Sequence, residues 1–260
     1  MSSLRTGPLR GEIPRGAFRR LFVTEFKLLL REPMLVFWGL VFPTGMLVVI
    51  GSASSSKPQK VLGGLRFVDV YTPTLLVFAL VMLSLSAMPA VLAGYRERDY
   101  LKRLATTPIG ALRLLAAQIL MVLLLTFGSA VLLILVSHLA FSVPWPSEVP
   151  GFVLALLLAC LAMSALGMLV AAFAPTPRAS AAIGGILFFP VMFFAGLWVP
   201  QAEMGATLRT ISQYTPLGAA VPAIQRTMAG EWAGTNHIIV LLAYTAVLFR
   251  IAVRFFRWER

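Results

Sequence analysis

The residues best equipped for chemistry stand together in one run, Tyr95-Arg96-Glu97-Arg98-Asp99-Tyr100-Leu101-Lys102-Arg103-Leu104, and the chemistry they suit is docking rather than bond breaking. Read as a helix, Asp99 lies one turn before Arg103, an i,i+4 ion pair in the favourable order. Tyr100, Leu101 and Leu104 give that helix an apolar flank. Such an element between two membrane spans can seat itself in a cytosolic partner; the same residues also fit an ordinary basic loop. Other reactive types are scattered. His138 and His237 have no acid close in sequence with which to build a metal site or a proton relay. The single cysteine, Cys160, forms no intramolecular disulfide and suits helix packing. There is no G-x-x-x-x-G-K-[ST] loop, no nucleophile elbow, no HExxH and no carboxylate pair. The chain is therefore not read as an enzyme, and any uphill work must draw its energy from another polypeptide.

The elements that would position the charged run are apolar. Six long uncharged stretches lie between Glu32 and Lys57, Asp69 and Arg96, Arg113 and Glu148, Glu148 and Arg178, Arg178 and Glu203, and Glu231 and Arg250. A bilayer core about 30 Å thick needs roughly 20 apolar residues as a helix. In lipid each backbone polar group must be satisfied within its own segment. The fold class expected is an all-α membrane protein of six transmembrane helices, at about 34–50, 70–94, 114–141, 149–173, 179–199 and 236–256. The whole of 33–260 reads as one transmembrane domain. A hydrophobic content of 59%, with only 12% charged residues, leaves little for a soluble domain.

Charge sets the orientation. Seventeen Lys and Arg flank one side of the spans and five the other, so both termini are expected in the cytoplasm. The same rule accounts for the net charge of +12 without a nucleic-acid partner. Residues 1–14, rich in Gly, Pro, Ser and Arg, read as a disordered tail. Residues 15–32 read as a basic amphipathic helix in the cytoplasmic interface, with Arg20, Lys27 and Arg31 on one face and Phe18, Phe22, Phe26 and Leu29 on the other. The first apolar stretch starts too late and runs too long for a cleaved signal and reads as a signal-anchor. Pro43 interrupts the first span, and residues 200–234 read as one or two short helices at the outer surface, in part re-entrant.

Spans one to five carry no Asp, Glu, Lys or Arg well inside them, which argues against a proton- or sodium-coupled carrier. Ser84, Ser86, Gln118, Thr126, Ser129, Ser137, His138 and Ser164 are the polar groups available, and helix-packing hydrogen bonds are their expected use.

The chain resembles the ABC-2 family of transporter permeases, the membrane subunits of ATP-driven exporters. The likeness rests on Leu30-Arg31-Glu32-Pro33 leading into an aromatic first span with Pro43, and on Arg96-Glu97-Arg98 through Leu101-Lys102-Arg103-Leu104 to Thr107-Pro108. It rests also on Phe189-Pro190-Val191-Met192-Phe193-Phe194-Ala195-Gly196-Leu197-Trp198-Val199-Pro200 and on Tyr214-Thr215-Pro216-Leu217. The resemblance implies a six-helix half-transporter in a bacterial inner membrane that pairs with a second permease chain, identical or paralogous. It implies two copies of a separate ATPase, which bind the ATP and Mg; no cofactor is expected in this chain. Residues 15–32 would be the interfacial helix, 96–104 the coupling helix and 200–230 an external hairpin. Arg96, Glu97, Arg98, Asp99, Lys102 and Arg103 would contact the ATPase, and spans one, two and five would line the path. Phe188, Phe189, Met192, Phe193 and Phe194 would form a hydrophobic gate or an adaptable surface for lipophilic cargo, or else pack helices and face membrane lipid. A lipophilic small molecule, drug or lipid-linked compound is the first cargo reading. Polysaccharide or glycolipid export, and a non-transporting subunit that signals through its ATPase, are the alternatives.

Overall fold

The computed structural model describes residues 23, 33–53, 62, 64–97 and 111–255. The tail 1–14, all of 15–32 but Val23 (so also Arg20, Lys27 and Arg31), and Arg98, Asp99, Lys102 and Arg103 lie outside the described residues. The described elements that build the fold are helices. The first, α1, runs through Pro33–Val36, a wider turn at Phe37–Val41, and Phe42–Ala53. The second, α2, has the same three-part form: Phe67–Val81, a wide turn at Met82–Ala87, and Met88–Glu97. Then follow α3 (Ala111–Phe141), α4 (Val149–Phe173), α5 (Pro177–Phe194), α6 (Ala206–Gln213), α7 (Pro216–Met228) and α8 (Thr235–Phe255). Five of them, α2, α3, α4, α5 and α8, are long and apolar enough to cross a membrane, and Phe37–Ala53 of α1 is a shorter apolar helix. This is an all-α, multi-pass membrane protein.

Local sequence sets the helix ends. At three starts an oxygen-bearing side chain caps the first turn and a proline occupies it, where a missing N–H costs nothing. Glu148 accepts from Gly151 N at 2.6 Å, Thr176 from Ala179 N at 3.2 Å and Thr215 from Gly218 N at 3.1 Å. The end of α5 is set by Gly196, whose φ of +88° suits glycine, with Leu197 N bonding back to Met192 O. That motif stops the helix at Phe194, short of the 199 expected from hydropathy alone. At the start of α2, the Arg66 backbone N–H and guanidinium both bond Asp69, and Arg66 Nη1 reaches Phe141 O at the end of α3, 2.9 Å away. The hydrogen bond to Asp69 holds the Arg66 pKa above its ordinary value, against the opposing effect of burial.

α2 and α4 form the centre. α4 packs against α8, α7, α3, α5 and the inner half of α2, while the outer half of α2 packs against α1, α3 and α7. Close approach depends on small residues, because lipid tails offer no hydrophobic gain to helix association. On α4 these are Ala155, Ala159, Ala162, Gly167 and Ala171, all buried. The segment after α5 divides in two. α6 lies exposed, whereas α7 is buried along Leu217–Val221 and at Ala223 and Ile224, wedged against α4, α8 and α2.

Candidate functional site

Aromatic rings join α1, α2 and α5 in an unbroken series. Phe37 meets Trp38 edge-on at 5.3 Å, and Trp38 lies 4.7 Å from Phe42, one helical turn on. Phe42 crosses to Phe78 of α2 at 5.2 Å, and Phe78 crosses to Phe188 of α5 at 5.8 Å, edge to face. Phe188 contacts both Phe189 (5.7 Å) and Trp198 (6.1 Å), and the last two stack at 5.7 Å with only 10° between their planes. These are the separations at which ring quadrupoles attract. Three members are open to the surroundings: Phe37, Trp198 and above all Phe189, which is 63% exposed. The arrangement offers an apolar surface of ring faces and edges that can hold a flat or flexible lipophilic molecule.

Of the residues anticipated on α5, Phe188 and Phe189 belong to this series. Met192 is fully buried in the core. Phe193 and Phe194 form their own edge-to-face pair at 5.5 Å, half-buried. Phe194 anchors the outer segment through its backbone: its carbonyl accepts from Gln201 Nε2 at 2.8 Å and Ser212 Oγ at 2.7 Å. Gln201 Nε2 also lies 3.0 Å from Ser212 Oγ and 3.1 Å from Gly218 O, so one amide ties α5, α6 and α7 together. Sequence reasoning expected spans one, two and five to line a path but named none of Trp38, Phe42, Phe78 and Trp198 among its gate residues. The i,i+4 spacing of Trp38 and Phe42 was a visible signal; their partner across the helix boundary was not.

At the opposite end of the same helices, Arg96 is half-buried and Glu97 exposed. Arg96 Nη1 points at the carbonyls of Ala172 (3.5 Å) and Ala174 (3.3 Å), where α4 ends. A cation there complements both the unpaired carbonyls and the negative end of the helix dipole. Gly94 comes close to Pro177, so the inner end of α2 rests on the turn between α4 and α5. Arg96 is thereby joined to the end of α4, and the segment that carries it rests on Pro177, the first residue of the helix that carries Phe188 and Phe189.

The remaining reactive groups serve structure. His138 Nδ1 is 2.9 Å from Val143 O and the ring lies 4.9 Å from Trp145, closing the end of α3. Arg226 pairs with Glu231 at 3.0 Å beyond α7. Cys160 is buried with Sγ 3.8 Å from Thr126 Oγ1. Among the described residues no three potential metal ligands come together.

A family model described as ABC-2 type transporter matches residues 16–229, a stretch that takes in the aromatic series, Arg96 and α7. No curated protein matches the chain.

Proposed function

The chain belongs to the ABC-2 type transporter family and is a permease subunit of an ABC transporter; from that premise we propose that it exports a lipophilic small molecule, a drug or a lipid-linked compound from the cytoplasm, as in multidrug efflux. The observation that carries this reading is the aromatic series across α1, α2 and α5, which reaches the exposed Phe189 and Trp198. Its rings are hydrocarbon apart from the indole N–H groups of Trp38 and Trp198, and the amide that follows it in sequence, Gln201, is committed to backbone and hydroxyl partners. A sugar chain would need donors and acceptors beside the rings; a lipophilic cargo does not.

In this reading two copies of a separate ATPase bind ATP and Mg, and this chain pairs with a second permease, identical or paralogous, in a bacterial inner membrane with both termini in the cytoplasm. Closure of the ATPase dimer pushes on residues 96–104 and 15–32, with Arg98, Asp99, Lys102 and Arg103 supplying the contact charges. The push reaches α5 through Arg96 and the α4–α5 turn, and rigid-body tilting of α1, α2 and α5 changes which side the aromatic surface faces.

The test is binding of a lipophilic fluorescent dye to the purified complex, wild type against a Phe189→Ala, Trp198→Ala double variant. An aromatic contact contributes about 0.5–1.5 kcal/mol, so the double variant, which removes two, should bind the dye about fivefold to a hundredfold more weakly. Equal affinity in the two proteins would remove the aromatic surface from the pathway.

A further inference from the structure

Each wide turn ends one residue short of a proline. In α1 the Phe42 N–H bonds Phe37 O and Pro43 follows; in α2 the Met88 N–H bonds Leu83 O and Pro89 follows. These are i→i−5 bonds, one residue wider than α-helical. The cause is the proline, which has no N–H to give and whose ring collides with the carbonyl four residues back. For Pro89 that carbonyl belongs to Leu85. In the wider register it would be Ser84 that waits for a bond from residue 89. Proline thus leaves Ser84 O and Leu85 O without their regular helical donor, in the most buried span of the molecule.

Two other helices bring glycines to these same two atoms. Gly167 of α4 lies against Ser84 O so closely that a Cβ would collide with it. A Cβ on Gly184 of α5 would sit 2.5 Å from Leu85 O. Cα–H groups therefore cover the carbonyls that the proline freed, contacts that recur where helices pack closely. Gly39 of the α1 turn faces Leu83, so the two wide turns also meet each other. The Ser84 hydroxyl on the turn and that of Ser180, one turn before Gly184, are buried with no hydrogen-bond partner among the described residues. Hydroxyls of this kind can take up backbone groups released when a helix changes register.

We propose that Pro89, clasped by Gly167 and Gly184, is a positioning residue for coupled transport: it makes α2 a joint, across which the inner segment Met88–Glu97 changes its angle to the outer segment Phe67–Val81. The inner segment ends at Arg96, beside the ATPase-facing loop, and the outer one carries Phe78 of the aromatic series. A joint between them lets one helix answer the ATPase at one end and the cargo at the other, with α4 and α5 gripping the joint itself. The inference rests on the ATP-driven reading of this chain.

The experiment uses the full permease–ATPase complex in lipid nanodiscs, in a Cys160→Ala background, with spin labels at Glu97 and Leu139 in one sample and at Leu65 and Leu139 in another. On trapping the ATPase with nucleotide and vanadate, the Glu97–Leu139 distance should shift and the Leu65–Leu139 distance should hold. Pro89→Ala restores the helical N–H; it should abolish the difference and lower transport about tenfold while ATP turnover continues, within the usual size of coupling effects. Pro73→Ala, which removes the other proline of α2 away from the wide turn, should leave distances and transport as in wild type. Equal movement of both pairs, or normal transport by Pro89→Ala, would overturn the joint while ATP turnover still supported the parent reading. A wild-type complex without ATP turnover would overturn that parent reading, and the coupling role with it.

Discussion

The wide turns of α1 and α2 have one cause and two different surroundings. In α1 the turn is bordered by the exposed Phe37 and Val41, and a side chain of the same helix lies within it, Thr44 Oγ1 donating to Leu40 O at 2.8 Å. Its close neighbour is the Leu83 side chain, which a Cβ on Gly39 would meet at 3.1 Å, a contact that a shift of a few tenths of an ångström relieves. In α2 the turn is enclosed, with Leu83, Ser84, Leu85 and Ala87 all buried, and its neighbours are glycine backbones that have nothing to move. Proline opens a helix in both places; what surrounds the opening decides whether it is loose or guided. The α1 turn adapts locally. The α2 turn is held on two sides by helices that also touch Arg96 and carry Phe188, and a displacement there must be shared with them.

Four substitutions test whether the two turns differ in this way. Gly167→Ala should cost the most, about 1–3 kcal/mol, because the added methyl meets the backbone oxygen of Ser84 rather than a flexible side chain; thermal unfolding of the purified protein measures it. Gly185→Ala, beside the clasping Gly184 but with open space around it, should raise stability by up to about 1 kcal/mol in the same assay. Pro43→Ala should leave transport within about twofold of wild type, the low end of coupling effects, where Pro89→Ala lowers it about tenfold. Gly39→Ala should change stability least, within about 0.5 kcal/mol, since Leu83 can give way at a contact of 3.1 Å. A Gly39 cost equal to that of Gly167 would show the two turns to be equally constrained.

The sequence made the class of fold legible because membrane spans announce themselves by uncharged length, and it carried the family through motifs local to each span. Hydropathy ran α5 on to 199, where a backbone motif at Gly196 ends it at Phe194. It marked 200–234 as in part re-entrant without showing which helix would be buried, although Gly218, Ala219, Ala220 and Ala223 of α7 are the small residues that permit close packing. The wide turn at Met82–Ala87 was not anticipated. Pro89 was visible, but the atoms that answer it belong to Gly167 and Gly184, far away in sequence. Phe188 and Phe189 stood out as a pair; that Phe42 and Phe78 bridge them to Trp38 is a product of helix packing, which no local pattern encodes. Arg96 was legible as a charge, and its place at the end of α4 was not.

On the proposed function, ATP hydrolysis on a partner drives a lipophilic cargo through this chain. The most direct test is dye uptake into inside-out vesicles that contain the permease with its ATPase. Accumulation should require hydrolysable ATP and be lost, with ATP turnover retained, when Arg98 and Arg103 are both changed to Ala. Steady ATP turnover that moves no dye into wild-type vesicles across a panel of lipophilic dyes would contradict it.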